Sequence, residues 1–382
     1  MTKDKNIRVC IVVASIDILG GQAVQALRLL EGLEAEPGID AELLPINPRL
    51  PRPLRWLQRI KYVRTVVTSI AFIASLLVRL PRFDVVHIFS ASYFSFLLAP
   101  TPAVLISKLY GKAVLLNYHS GEAEDHLRRW PRTALPILRL ANRIVVPSDY
   151  LVDVFAKFGL KADAVVNTVD QSRFQFRERR PLKPVLLSNR NLEPHYNVEC
   201  VLRAFALVQA RVQEARLVVA GDGSQRRYLR ELAQSLKLRN VEFAGAVTPD
   251  QMLAWYDQAD IFVNASDIDN QPLSIIEAFA SGLPVVTTNA GGIPYMVVND
   301  ATGLMVECND HEALAGKVLR LLEISELADS IVDQARAECE KYAWIKVRTQ
   351  WLSMYSELAD AEACVPDLGA STPEKQISAF GE

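Results

Sequence analysis

Residues 260–292, DIFVNASDIDNQPLSIIEAFASGLPVVTTNAGG, restrict the fold more than any other stretch of the chain. DIFVNAS is a short apolar run suited to a buried parallel strand, and Pro272 stands where a first helical residue would be. LSIIEAFAS has helical spacing, Gly282 stops it, and PVVTT is a second buried strand before a glycine turn. Asp267 and Asp269 lie just ahead of the helix, and Glu277 projects from its second turn. Free N–H groups at a helix start suit phosphate, and carboxylates suit the hydroxyls of a sugar or ribose.

The rest of the chain repeats this β-α grammar. RVCIVVAS (8–15), DVVHIFS (84–90), AVLLNYHS (113–120), RIVVPS (143–148) and AVVN (164–167) read as strands with helical stretches between them. A Pro/Arg-rich stretch, QFRERRPLKP (175–184), has linker composition, and the alternation then restarts. PVLLSNR (184–190), RLVVAGDG (216–223), NVEFAG (240–245) and GLMVE (303–307) are the further strands. At 382 residues the chain is too long for one ordinary core, so two α/β domains with open parallel sheets are expected. Ligands in such sheets bind at the strands' C-terminal ends. His119, in NYHSGE, falls just past one such end, where a structural and a functional role are both open. The glycine turn Gly20-Gly21 before the helix QAVQALRLLEGL is a phosphate-approach unit, but it is not GxGxxG, so no dinucleotide fingerprint is present. A helix at 344–355 carries Trp344, Trp351 and Tyr355, and the tail after Pro366 is expected to be disordered.

Half the residues are hydrophobic and 23% are charged, the profile of an ordered globular protein. The five cysteines (Cys10, Cys200, Cys308, Cys339, Cys364) form no CxxC pair, which points to a reducing compartment and away from a structural zinc. The polar lead into the first strand does not read as a signal peptide. The net charge of −2 hides an asymmetry: residues 1–178 carry 23 Lys/Arg and 16 Asp/Glu, residues 179–382 carry 19 and 28. Residues 43–83 hold eight Lys/Arg and no acid, with Trp56 among the basic residues of 49–64. The apolar run VVTSIAFIASLLV that follows has 13 residues, short of the ~20 that cross a bilayer. Its leading reading is a buried helix behind a solvated basic loop. The other is a peripheral membrane contact, with arginines on lipid phosphates.

In these motifs and their order the chain resembles the retaining nucleotide-sugar glycosyltransferases of family 4, over about residues 8–356. GGQAVQALRLLEGL, SDYLVDVFAKFG with VVNTVDQSRF, SNRNLEPHYNVECVLRAF, VVAGDG, EFAGAV and WYDQADIFVNAS match in sequence order, and Asp269 to Glu277 occupies the family's Glu-x7-Glu position. The resemblance implies a GT-B fold: two Rossmann-like domains with parallel sheets facing a cleft, and a C-terminal helix returning to the first domain. The expected divisions are 1–178 for the acceptor, 179–340 for the donor, 341–360 for the returning helix and 361–382 for the tail. It implies that Glu277 takes the ribose hydroxyls, that Asp269 with the N–H groups of Leu273 and Ser274 holds sugar and distal phosphate, and that Arg190 neutralises the diphosphate. His119, Gly20 and Gly21 would close from the first domain. Asn189, Tyr196, Gly221, Ala246, Val247, Asn270, Gln271 and Pro272 complete the expected donor site. No cofactor and no metal are expected, the donor being a nucleotide-diphosphate sugar.

Three departures bear on these expectations. Asp269 replaces the family's first glutamate, Thr168 replaces a glycine, and Tyr196 stands where a phosphate-binding lysine is usual; His195 or Lys183 could supply the missing charge. Asp267-Ile268-Asp269 is also a DxD, a weak motif for manganese. The expected activity is retaining, metal-independent glycosyl transfer to a sugar, glycan or lipid-linked acceptor in polysaccharide, lipopolysaccharide or glycolipid synthesis. The alternatives are a non-catalytic nucleotide-sugar-binding relative and a sugar-nucleotide epimerase. The location expected is cytoplasmic, with a peripheral contact at the inner face of a membrane through 49–64 as the partner surface, and no nucleic acid.

Overall fold

The computed structural model describes residues 6–14 and 21–363. Among them, twelve strands form two six-stranded parallel sheets. The first contains β1 (Ile7–Val13), β2 (Ile39–Pro45), β3 (Val85–Ser90), β4 (Ala113–Tyr118), β5 (Arg143–Val146) and β6 (Asp163–Ala164), in spatial order β2-β1-β3-β4-β5-β6. The second contains β7 (Val185–Asn189), β8 (Arg216–Ala220), β9 (Val241–Gly245), β10 (Ile261–Val263), β11 (Val285–Thr288) and β12 (Leu304–Val306), in order β12-β11-β10-β7-β8-β9. The strand order reverses between β1 and β3 in one sheet and between β7 and β10 in the other. Crevices open at such switch points, beyond the strands' C-terminal ends.

Helices cover both faces, which is why β3 and β4 are buried along their whole length and read as continuous apolar runs. One face of the first sheet packs Val12, Val86 and Ile88 against Phe72, Leu76 and Ala103. The other packs Ile11, Val85 and Leu115 against Ala26, Leu29 and Leu33 of the helix Gly21–Glu34. That second face is completed by the helix Trp344–Ala363, which crosses back and contributes Val347, Trp351, Met354, Tyr355 and Leu358. In the second sheet, the helix Val198–Arg211 covers one face and the helices Pro249–Gln258 and Leu273–Ala280 cover the other.

Three elements differ from the sequence reading. The strand β2 was not expected. It is an edge strand with only Ile39 and Leu44 buried, so its apolar period is faint. The run at 66–78 is helical, as Val63–Arg79, but it is not a buried helix. Phe72 and Leu76 reach the core, whereas Val66, Ile70, Ile73, Leu77 and Val78 are exposed. The basic stretch before it is a 3-10 turn, Arg52–Arg59, with no buried residue. Finally, the Pro/Arg-rich crossover is pinned to the second domain. The Arg179 guanidinium donates to the carbonyls of Tyr256, Ala259, Ser281 and Gly282 and lies beside the Asp260 carboxylate. The stretch does link the two sheets, and a buried arginine with this many acceptors makes it a structural clamp as well. Most of the expected tail, including Cys364, lies outside the described residues. Cys10, Cys200, Cys308 and Cys339 are free thiols.

Candidate functional site

A cavity of about 480 Å³ opens where the C-terminal ends of the two sheets meet. From the second domain its wall is the loop after β10 and the helix Leu273–Ala280. Pro272 is the residue before that helix and is extended at ψ 116°, one position earlier than the sequence suggested. No side-chain oxygen caps the helix, and Leu273 and Ser274 of its first turn line the cavity, while the Ile275 N–H is bonded to the Pro272 carbonyl. The loop is brought in by close backbone contacts that glycine alone permits. Gly291 has φ +49°, and a Cβ there would lie 2.1 Å from the Asp269 carbonyl oxygen. Gly221, at φ +141°, gives the same clearance to the Arg190 carbonyl.

Arg190 follows β7, and Asp269 lies on the loop after β10, so the sheet's switch point pairs them. Nη2 of Arg190 donates to Oδ2 of Asp269 at 2.5 Å, and Nη1 approaches Oγ of Ser274 at 3.4 Å. The guanidinium lies over the Tyr196 ring, 4.1 Å from its centroid. Burial pushes the Tyr196 phenol up, so its hydroxyl stays a neutral donor. Asp267 has different partners: both its carboxylate oxygens accept from Nδ2 of Asn197, at 3.1 and 3.2 Å. The two acids of the DxD are therefore engaged separately. Among the described residues no group of three or more His, Cys, Asp or Glu is arranged to hold a metal.

Glu277 projects from the second turn of its helix into the same cavity. Tyr256 donates to its Oε2 at 3.0 Å, and Arg28 of the helix Gly21–Glu34 donates to Oε1 at 3.1 Å. Burial pushes the carboxyl upward, and Arg28 and then Tyr256 oppose that shift. From the first domain, His119 follows β4 and Gly21 opens its helix, and both line the cavity. Burial lowers the His119 imidazole to about 3, so it is neutral and adds no positive charge at the phosphate end. Nε2 of His119 and Nε of Arg190 are buried without a hydrogen-bond partner among the described residues.

Of the expected donor residues, Asn189, Tyr196, Val247, Asn270, Gln271, Pro272, Leu273 and Ser274 line this cavity with Asp269, Glu277, Arg190, His119 and Gly21. Gly221 and Ala246 do not. The first supports the backbone behind Arg190, and Ala246 is exposed beside Val247. Gly20 lies outside the described residues. His195 lines the cavity, but Lys183 precedes β7 at the far end of the sheet. Sequence reasoning missed Arg28, Arg173 and Glu122, which also line the cavity. Nothing near Arg28 in sequence marks it out, because its partner is 249 positions away.

Two family models match the chain in succession. Glycosyltransferase Family 4 covers residues 19–173, and Glycosyl transferases group 1 covers residues 170–338. The chain is 28% identical to the sulfoquinovosyl transferase SQD2 of Arabidopsis thaliana over 76% of this chain and 60% of that protein. It is 30% identical to the alpha-monoglucosyldiacylglycerol synthase of Streptococcus pneumoniae over 47% of this chain and 44% of that one. The matches thus span less than two thirds of these relatives' own lengths. Among solved structures, Anabaena HepE with UDP and glucose superposes with a TM-score of 0.72 at 16% identity, covering 92% of this chain and all of that one. The sucrose-phosphate synthase of Thermosynechococcus elongatus gives 0.73 at 18% identity, over 93% and all of the respective chains. Two parallel sheets meeting at a shared cavity, with both family models falling in order along the chain, make this protein a member of glycosyltransferase family 4 with the GT-B fold.

Proposed function

We propose that the protein transfers a glycosyl unit from a nucleoside-diphosphate sugar to a hydroxyl acceptor, with retention of anomeric configuration and without a metal. The observation that carries this reading is the pairing, in one cavity, of Arg190 and uncapped helix N–H groups with the carboxylates Asp269 and Glu277. The cation and N–H groups suit the diphosphate, and the carboxylates suit the hydroxyls of sugar and ribose. UDP and glucose in the HepE structure, and UDP with GlcNAc in the pneumococcal GtfA structure, favour such a donor.

In this reading the bond from the anomeric carbon to the distal phosphate breaks, and the acceptor oxygen bonds to that carbon from the same face. The departing phosphate oxygen takes the acceptor proton, so no enzymic base is required. Arg190, the N–H groups of Leu273 and Ser274 and the Tyr196 hydroxyl stabilise the charge gained by the leaving diphosphate. Preorganised donors of this kind contribute ~2.7–4 kcal/mol each. Separate engagement of Asp267 and Asp269 supports a site that works without manganese. Turnover of a nucleotide-sugar panel with candidate lipid acceptors, in EDTA, is the test. Transfer unaffected by EDTA is expected. Transfer that requires added metal would overturn the metal-free assignment, and inversion at the product's anomeric carbon would overturn retention.

A second reading, binding without catalysis, is favoured by Tyr196, since a phenol brings no charge and charge-assisted bonds are roughly twice as strong as neutral ones. Donor binding with neither transfer nor slow hydrolysis would support it.

The acceptor is met at the inner face of a membrane, from the cytoplasm. Support comes from the helix Val63–Arg79, which exposes Val66, Ile70, Ile73, Leu77 and Val78, and from the adjoining helix Pro100–Leu109, which exposes Leu105 and Leu109. Trp56 and the exposed arginines of Arg52–Arg59 border this face. Apolar surface edged by basic residues fits an anionic lipid headgroup layer. The relative named for a monoglucosyldiacylglycerol product points to the same acceptor class.

A further inference from the structure

The geometry points to Arg28 as a positioning residue that fixes Glu277 as an anionic acceptor for the ribose and makes ribose recognition depend on the first domain being seated against the second. The inference rests on the reading above that Glu277 takes the ribose hydroxyls.

Arg28 and Glu277 come from different domains, and their side chains are only 11% and 15% exposed, so this is no solvated surface pair. Nη2 of Arg28 donates to the Glu277 carboxylate, while Nη1 donates to the Thr168 carbonyl at 2.9 Å. Gln25, one turn earlier on the same helix, holds Thr168 from both sides, donating to its carbonyl at 2.8 Å and accepting from its N–H at 2.9 Å. The guanidinium is thereby anchored to the segment that follows β6 before it reaches the carboxylate. It is also permanently charged, so it does not leave its partner by losing a proton.

An ionised carboxylate has about four lone-pair positions. Arg28 occupies one on Oε1 and Tyr256 one on Oε2, which leaves about two, the number a vicinal diol needs. A protonated carboxyl would turn one oxygen into a donor and lose that match. Three groups act on the carboxyl from the packed elements: Arg28 on Gly21–Glu34, Tyr256 on Pro249–Gln258 and Arg173 on the turn Gln171–Arg173. Arg173 acts through space and is paired with Asp250, so Arg28 is the cation in contact. Without it, only Tyr256 and the more distant Arg173 would oppose burial, and the carboxyl would move further towards its neutral form.

The test is calorimetric binding of UDP, GDP and ADP, each against its 2′,3′-dideoxy counterpart, to the wild type, R28Q and R28K between pH 5 and 8. The wild type should prefer the ribose form of its nucleotide by about tenfold or more, the loss expected when charge-assisted hydrogen bonds to the diol are removed. R28Q should bind both forms within about threefold of each other, with the dideoxy form held as by the wild type. Its residual ribose preference should fade at a higher pH than in the wild type, and R28K should restore part of it. If R28Q keeps the wild-type preference and pH profile, or weakens both forms equally, the inference is wrong while the role of Glu277 stands. If the wild type itself shows no preference, the role of Glu277 falls and the inference falls with it. Thermal unfolding of R28Q and R28K separates a binding loss from a folding loss.

Discussion

Glu277 has two hydrogen-bond partners and a cavity in front of it, so its removal reaches both activity and stability. Glu277→Ala should lower transfer at limiting donor by about tenfold or more, the loss expected when charge-assisted hydrogen bonds to the ribose are removed. The melting temperature should fall as well, because Arg28 is left nearly buried without its carboxylate partner. Wild-type kinetics would remove Glu277 from the site. At Tyr196 the stack on Arg190 and the hydroxyl can be separated. Tyr196→Phe keeps the ring under the guanidinium and removes one neutral donor, so UDP affinity should fall by about 2–10-fold, matching a hydrogen bond of ~0.5–1.5 kcal/mol. No change on titration would show that the hydroxyl does not meet phosphate. These residues were legible in the sequence because their signals are local: a strand end, a loop before a helix, a carboxylate on an apolar helix. Arg28 was not, since an arginine on a surface-type helix looks the same whether it meets water or a carboxylate from another domain.

Among the elements, the helix Val63–Arg79 is the one whose environment periodicity could not settle. Apolar residues surround it, as in a buried helix, but the fold gives it only one packed edge, through Phe72 and Leu76. Sedimentation with vesicles should show binding to phosphatidylcholine containing phosphatidylglycerol and little to phosphatidylcholine alone. The binding should weaken with salt, since each arginine near an anionic surface is worth about 1 kcal/mol and is screened. Neutralising Arg52, Arg55 and Arg59, or introducing Ile70→Glu, should each abolish it. Binding that ignores lipid charge and both variants would refute the membrane assignment, as would self-association of the wild type that Ile70→Glu disperses. The strands, by contrast, are short apolar runs between helical stretches, which explains why every strand of the two sheets except the faint edge β2 was readable. Composition marked 175–184 as a linker but not its anchoring, because the acceptors that hold Arg179 belong to helix ends far along the chain.

For the whole molecule, three buried imidazoles set a common acid limit. Burial lowers His87 and His119 to about 3 and His126 to about 4. Unfolded histidines titrate near 6.5, so the stability held by the neutral native forms is complete above that pH and is lost as pH falls towards the native values. At pH 5 the loss is about 2 kcal/mol for the fully buried His87. The buried carboxyls Asp260 and Glu277, both pushed upward, act in the opposite sense. A lower melting temperature at pH 5 than at pH 7 is expected by scanning calorimetry, and an unchanged one would contradict the neutral-histidine assignment. His87 also ties distant parts of the chain together. Asn117 donates to its Nε2, so Nδ1 carries the proton and donates to the Tyr355 hydroxyl at 2.7 Å.

That bond joins β3 to the helix Trp344–Ala363, and it implies an order of assembly during synthesis. As the ribosome releases the chain, the first sheet emerges early, yet one of its faces waits for Val347, Trp351, Tyr355 and Leu358. The entire second domain must be made before that face is covered. During this interval the helix Gly21–Glu34 covers part of that face, the part around His87 that Trp351 and Tyr355 later meet stays open, and a chain arrested before Trp344 would carry it permanently.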